Sequence, residues 1–499
     1  MTLLETLILG SYFFVLVILA VYGWHRYYLV YSYTKNKDRV PGPPPAWDGP
    51  LPEVTVQLPL YNEMYVVDRL LQATARIDYP RDLLEIQVLD DSTDETTGVA
   101  RAAVNRLVAQ GFDVKYLHRA NRAGFKAGAL DAGLKTARGR FVAIFDADFI
   151  PTADFLQKTI PYFQDPKVGL VQARWGHVNA DYSLLTKAQA ILLDGHFVLE
   201  HGGRNRAGHF FNFNGTAGVW RREVIPAAGG WQHDTLTEDL DLSYRAQLLG
   251  WKFLFLPDLV APAEVPVEMN AFKSQQHRWA KGSIQVCLKL LPRILQSDQP
   301  FGVKAEAFFH LTANFNYLLM SVLSILMFPS MVIRYNMGWY EMLLIDVPLF
   351  FAATFSVANF YIVSQREIHR DWKSRLRYIP FLMALGIGLA VNNTRAVIEA
   401  LVGHESAFAR TPKYGIERGS DQWTGKKYQQ AVIIQPLVEI GLGLYFTMTV
   451  FYALANGIYG TLPFLVLFQV GFLYTGLLSV LQQFGGGQAV LNAQVARGK

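Results

Sequence analysis

Phe141-Val142-Ala143-Ile144-Phe145-Asp146-Ala147-Asp148-Phe149-Ile150-Pro151 sets an apolar run against a D-x-D and stops it with proline. So short and bounded a run reads as a buried strand that delivers two acids at its carboxyl end. The residues upstream alternate in the same way. Residues 54–58 are a β-branched strand, 63–77 have helical apolar spacing, 85–89 are a second strand and 95–110 a second helix. A strand at 114–117 and a helix beginning near Gly124 complete the series. Alternation of this kind predicts an α/β domain around a largely parallel sheet, with ligands beyond the carboxyl ends of its strands. Asp90 and Asp91 follow the strand at 85–89 as Asp146 and Asp148 follow the strand at 141–145, so two acid pairs are expected on one rim.

Gathered carboxylates repel one another unless they share a cation or give up their charge. Mg²⁺ or Mn²⁺, held by one or two carboxylates and completed by substrate phosphates, fits such a rim, and the expected ligand is a diphosphate. For Asp90 and Asp91 the plain alternative is a turn and helix cap leading into Ser92-Thr93-Asp94. Further on, Thr237-Glu238-Asp239-Leu240-Asp241 opens an amphipathic segment; Thr237 reads as an N-cap, or Asp239 as a general base for an acceptor hydroxyl. Gln275-Gln276-His277-Arg278-Trp279 lies just before an apolar stretch. Arg278 and Trp279 there are either interfacial anchors or, respectively, a counter-charge for a leaving pyrophosphate and a flat face for a sugar.

The 499 residues are 51% hydrophobic and only 17% charged, which sets disorder aside and makes a membrane protein the first expectation. The single cysteine, Cys287, excludes an internal disulfide and a cysteine zinc cluster. The net charge of +5 is not pooled in a stripe, and many basic residues flank apolar runs, so a bilayer rather than nucleic acid is the expected partner. Residues 7–31 can span hydrocarbon as an anchor with its N-terminus outside, and Pro41, Pro43, Pro44 and Pro45 make a stiff spacer. Further spans are expected near 307–333, 341–363, 432–456 and 461–482. Segment 378–402 is apolar only to Val391 and then carries Asn392, Asn393, Arg395 and Glu399. Basic loops stand on both sides of it, so a crossing would place one of them outside. It is expected to be re-entrant or interfacial, which leaves five spans and an inside C-terminus with Arg497 and Lys499.

In series, Asp90-Asp91, Asp146-x-Asp148, Thr237-Glu238-Asp239 and Gln275-x-x-Arg278-Trp279 resemble a processive family 2 glycosyltransferase of the cellulose synthase superfamily. The wording Asn121-Arg122-Ala123-Gly124-Phe125-Lys126-Ala127-Gly128-Ala129-Leu130 and Phe213-Asn214-Gly215-Thr216-Ala217-Gly218-Val219-Trp220-Arg221 most resembles the cellulose-synthase-like A and C proteins and their bacterial relatives. The likeness runs from about residue 50 to at least 415. It implies a cytosolic, Rossmann-like GT-A domain inserted between transmembrane helices. The expected division is an anchor at 1–40, a linker at 41–51, the catalytic domain at 52–272 and interfacial helices at 273–305. Two spans at 306–364, a cytoplasmic loop at 365–430, two more spans at 431–483 and a tail at 484–499 follow.

The resemblance also assigns roles. Asp90 and Asp91 would face the base and ribose, with Tyr61 and Glu63 nearby, and Lys126 would approach the diphosphate, although a lysine at a helix start can simply be exposed. Asp146 and Asp148 would hold Mn²⁺ or Mg²⁺. Thr237, Glu238 and Asp239 would be the catalytic group, with Asp239 as base, and Gln275, Arg278 and Trp279 would shape the donor and acceptor ends. Phe213, Asn214 and Gly215 would border the acceptor sugar. Phe408, Arg410, Thr411 and Lys413 would belong to a gating loop over the nucleotide, and no C-terminal regulatory module is expected. The implied activity is inverting, processive transfer of hexose from UDP-glucose or GDP-mannose into a β-linked polysaccharide, in a bacterial plasma membrane or a Golgi membrane. Transfer of one sugar to a ceramide or polyprenyl phosphate is the nearest rival, and a scaffold with a degenerate domain is a third reading.

Overall fold

The computed structural model describes the chain except Pro45, residues 339–342, Ala407, Ala409, 429–433 and 498–499, together with the side chains of 343–345, 347 and 485–497. Pro45 of the spacer, the loop around Glu341, Ala409 beside Phe408, the start of the predicted 432–456 span and Lys499 therefore lie outside the described residues.

Seven strands form one sheet: β1 (Val54–Leu60), β2 (Leu84–Asp90), β3 (Asp113–His118), β4 (Phe141–Ile144), β5 (Val168–His177), β6 (Gly218–Arg221) and β7 (Lys252–Ala263). Their order is β3-β2-β1-β4-β6-β5-β7. β1 runs parallel to β2 and β4, β2 to β3 and β5 to β7, while β6 is antiparallel to both its neighbours. The helices Val67–Ala75, Thr96–Ala109 and Phe125–Leu134 connect the parallel strands. β1, β2 and β4 are buried along their whole length, as befits parallel strands covered on both faces. From β1 the chain winds outward to β3, then returns to place β4 on the other side of β1. The strand order therefore reverses between β1 and β4, and a crevice opens beyond their carboxyl ends.

The sheet is less parallel than the sequence suggests, because β6 enters between β4 and β5. Helix 63–77 also begins later than its spacing indicates, at Val67. The chain leaves β1 through Asn62 in a left-handed conformation, φ 54°, and turns before it can coil. That turn keeps Tyr61 and Glu63 at the crevice instead of on a helix face.

Four helices among the described residues are long and apolar enough to cross a membrane: Leu3–Lys35, Phe315–Asn336, Ile434–Ala455 and Tyr459–Phe484. The stretch expected near 341–363 is a helix over Leu343–Ile368 that packs along Leu3–Lys35. Segment 378–402 breaks into Ile379–Gly388 and Ala390–Leu401, with a bend of 42° between the two helical segments. Its polar second half packs on Met269–Gln296, the helix that carries Gln275, Arg278 and Trp279. Asn392 Nδ2 donates to the Lys273 carbonyl at 2.8 Å, and Lys281 Nζ to Glu399 at 3.0 Å. These polar residues are thus partnered by the helix next to the catalytic domain, and the bundle is tied to the site through it.

Candidate active site

One cleft beyond β1 and β4 gathers most of the expected site residues. Tyr61 and Glu63 line it from the turn after β1, Asp91 from β2, Asp146 and Asp148 from β4, and Lys126 from the first turn of Phe125–Leu134. Thr237, Glu238 and Asp239 enter from the start of helix Glu238–Leu248, and Asn214 and Gly215 from the loop before β6. Gln275, Arg278 and Trp279 come from Met269–Gln296, and Phe408, Arg410, Thr411 and Lys413 from the segment after Ala390–Leu401. Residues from eight separate stretches meet here, where the strand order reverses beyond β1 and β4.

Two expected residues are not in the cleft. Asp90 is fully buried: its Oδ1 accepts from Ser92 N at 2.8 Å and its Oδ2 from the Tyr116 hydroxyl at 2.5 Å. It is the last residue of β2 and faces inward, so it shapes the turn and cannot touch a base or ribose directly. Phe213 is also fully buried, with its ring 5.6 Å from that of Trp220 in an edge-on contact; it is core beneath the loop, not a wall of an acceptor site. Thr237 precedes the helix in the N-cap position but its hydroxyl makes no capping bond and has no partner among the described residues.

The centre is electrostatically tight. Lys126 Nζ donates to Asp146 Oδ1 at 2.5 Å and to the Gly215 carbonyl at 2.9 Å. Burial works to lower the Lys126 pKa, but Asp146, Glu238 and Asp239 outweigh it and hold the ammonium above its ordinary value. Asp239 is pushed up to about 7 by burial and by Glu238, against the pull of Lys126 and the Leu240 amide. Glu63 rises to about 7 as well, by burial above all, with Asp148 and Asp146 opposing its charge and Arg410 and Lys413 supporting it. Two backbone features make the centre possible. Gly215 has φ +79°, and a Cβ there would lie 2.9 Å from Asp239 Oδ2; a Cβ on Gly282 would meet the Thr237 backbone nitrogen at 2.9 Å, so the helix Met269–Gln296 can lie directly on the Thr237-Glu238-Asp239 turn.

Arg122, to which the sequence assigns no role, is central to one wall. Its guanidinium lies 3.4 Å from the centroid of the Tyr61 ring and within 6 Å of Phe125 and Phe408. Glu264 was missed altogether. It follows β7 as the acids follow β2 and β4, so the same strand-end signal applies to it. Its carboxylate accepts from the amides of Tyr414 at 2.9 Å, Gly415 at 2.8 Å and Ile416 at 3.3 Å. Lys413 Nζ meets Asp148 Oδ2 at 2.7 Å, so the segment after Thr411 is seated on the cleft by two carboxylates. Asp146 and Asp148 each therefore carry a lysine ammonium. Among the described residues no three His, Cys, Asp or Glu side chains converge on one metal position.

The sheet and cleft define a GT-A-like glycosyltransferase fold. A mannosyltransferase of Pyrobaculum calidifontis, solved in complex with GDP-Man and Mn²⁺, shares it with a TM-score of 0.53 at 20% identity, over 78% of this chain and 99% of that one. Residues 52–282 match the family described as "Glycosyltransferase like family 2". Glucomannan 4-beta-mannosyltransferase 2 of Arabidopsis thaliana is 45% identical over 253 residues, 50% of this chain and 47% of that protein. Glucomannan 4-beta-mannosyltransferase 1 of Oryza sativa subsp. japonica is 44% identical over 253 residues, 50% of this chain and 49% of that one. The chain spans about half the length of the curated relatives it matches.

Proposed function

We propose that the protein is a membrane-embedded, inverting hexosyltransferase that draws on a nucleotide diphosphate sugar to lengthen a β-linked polysaccharide and pass it into the bilayer. The observation that carries this reading is the meeting of Asp146, Asp148, Lys126, Arg278 and Asp239 in one cleft. The acceptor hydroxyl oxygen forms the new bond to the anomeric carbon as the bond from that carbon to the diphosphate oxygen breaks. Asp239, lifted toward neutrality, takes the hydroxyl proton, and Lys126 and Arg278 face the negative charge of the departing diphosphate. Single displacement on the face opposite the leaving group inverts the donor's α linkage.

The donor set fits a hard divalent cation. Two carboxylates that already hold ammonium groups on their oxygens are the partial shell that Mn²⁺ or Mg²⁺ takes when substrate phosphates supply the rest. When bound at Asp146 and Asp148, the ion would neutralise the diphosphate; Mn²⁺ and Mg²⁺ are equally compatible with these oxygens. UDP-glucose and GDP-mannose are the candidate donors, and the likeness to glucomannan mannosyltransferases favours a mannosyl donor.

Passage into the membrane is supported by a second cavity among the spans. Leu193 lines the catalytic cleft and its neighbour Leu192 the membrane cavity, which continues past Tyr317, Tyr361, Phe464 and Phe468. Aromatic faces suit a sugar chain. The same cavity is also walled by Leu16, Leu19 and Leu323, which suits an acyl chain and keeps transfer to a lipid as the second reading. The proposed topology has a cytoplasmic catalytic domain, an outside N-terminus and a re-entrant 378–402. Incubating membranes containing the protein with labelled donor decides between acceptors: label in long chains supports polymerisation, and label extracted with the lipids supports the rival.

A further inference from the structure

Helix Leu184–Gly195 does not end where its α-helical turns end; the chain widens into a π-helical turn over His196–His201 before Gly202–Ala207 resumes. Such turns are uncommon and tend to occur at functional positions. This one brings His196 to the edge of the cleft. Its Nδ1 lies 2.6 Å from Glu200 Oε2 and its Nε2 lies 2.9 Å from Asn214 Nδ2. Asn214 lines the cleft next to Gly215, whose Cβ position touches Asp239.

The chemistry of the three groups fixes their roles. An ionised carboxylate only accepts, so the ring proton sits on Nδ1 and points at Glu200. Burial works to raise the Glu200 pKa, but His196 and Arg204 outweigh it and hold the carboxylate well below its ordinary range. Asn214 Nδ2, which can only donate, faces Nε2 at 2.9 Å, so Nε2 is the acceptor of that bond. The Asn214 oxygen is then committed to nothing: Oδ1 is buried and has no hydrogen-bond partner among the described residues. Glu200 itself is steadied from the membrane side. Arg204 reaches it at 3.8 Å and donates to Glu306 at 2.9 Å, and Glu306 meets His25 of helix Leu3–Lys35 at 2.8 Å.

We infer that His196, oriented by Glu200, is a positioning residue that turns the Asn214 amide so that its oxygen accepts a hydrogen bond from a hydroxyl of the acceptor sugar beside Asp239. This rests on the cleft being a glycosyltransferase site, and it adds two residues to which neither the sequence motifs nor the family likeness gave a role. The donor half of the cleft, at Asp146, Asp148 and Arg122, is not part of the relay. Loss of the relay therefore loosens the acceptor while the donor is still bound and activated, and water takes the acceptor's place.

The test follows the donor's sugar. With the full-length protein in membranes and labelled donor, nucleotide release and sugar incorporated into product are measured together, alongside donor binding. His196→Phe keeps the ring volume and removes both bonds. It is expected to raise the share of sugar released to water at least tenfold, with donor affinity within threefold of the starting protein. His196→Gln, whose amide can still accept from Asn214, is expected to keep incorporation within about threefold. Asn214→Leu should match His196→Phe, and the two together should be no worse than either alone, since they remove one contact. Equal loss of release and incorporation in His196→Phe and His196→Gln, or additive effects in the double variant, would overturn the inference. Absence of donor binding and turnover in the starting protein would instead overturn the reading of the cleft on which it rests.

Discussion

β2 and β4 both end in paired acids at the same rim, and the sheet uses the two pairs differently. At β4, which borders the strand reversal, Asp146 and Asp148 both reach the cleft, and each holds a lysine from elsewhere in the chain. At β2, one strand removed, Asp91 reaches the cleft but is clasped by Arg119 through two bonds, and Asp90 turns into the core. Adjacent residues at a strand end point to opposite sides, which divides the D-D carboxylates at the end of β2, whereas the D-x-D lies in the turn just beyond β4, closed by the Phe149 amide on the Asp146 carbonyl. The comparison teaches that an acid at a strand's end faces the cleft only where the topology leaves room beyond the strand and the local backbone turns the side chain outward.

Substitutions at the two strand ends should separate these roles. Asp146→Asn and Asp148→Asn are expected to lower sugar transfer by about 10³-fold, the scale of losing a major charge-stabilising group, with little change in folding. Nucleotide release from labelled donor measures it. The pH profile comes next. Because burial and Glu238 lift Asp239 to about 7, its proton-accepting form is lost as pH falls, so kcat/KM in the free enzyme should drop about tenfold per unit below pH 7. Lys126→Met removes a positive charge that holds this pKa down, so the falling limb should move to higher pH.

Gly215→Ala should follow, with transfer reduced by about 10- to 100-fold, because the added carbon presses on Asp239 Oδ2 and geometry errors of an ångström cost about that much. Asp90→Asn should have the smallest effect on chemistry. Transfer should stay within a few-fold, while stability falls by about 1–3 kcal/mol through the weakened bonds to Ser92 and Tyr116, read from thermal unfolding. If Asp90→Asn abolished transfer in folded protein, the contrast between the two strand ends would fail.

The α/β half was legible because its strands are short, apolar and sharply ended; acids at those ends could be found without a structure. What the sequence left hidden was direction. Nothing in Phe213-Asn214-Gly215 says that the ring goes under Trp220 while the amide faces the cleft, and only the pleat separates Asp90 from Asp91. Glu264 was accessible by the same rule, but β7 contains Pro257 and Pro262, which broke the strand signal. Arg122 shows its meaning only when Tyr61 and Phe408, far away in sequence, close around it. In the helical half, four of the five expected spans coincide with helices that are long and apolar enough to cross a membrane among the described residues, and their arrangement was not legible. A uniformly apolar helix carries no stripe to say which neighbour it meets, and the bend between Ile379–Gly388 and Ala390–Leu401 was marked only by the change from apolar residues to Asn392 and Asn393.

Asp239 is where the account is most directly open to measurement. In Asp239→Asn, donor binding and sugar incorporation should be measured on the same preparation. The account predicts donor affinity within about threefold of the starting protein and incorporation reduced by about 10³-fold, since the amide fills the same space but cannot take the hydroxyl proton. Incorporation within tenfold of the starting protein would contradict it and remove Asp239 from the centre of the site.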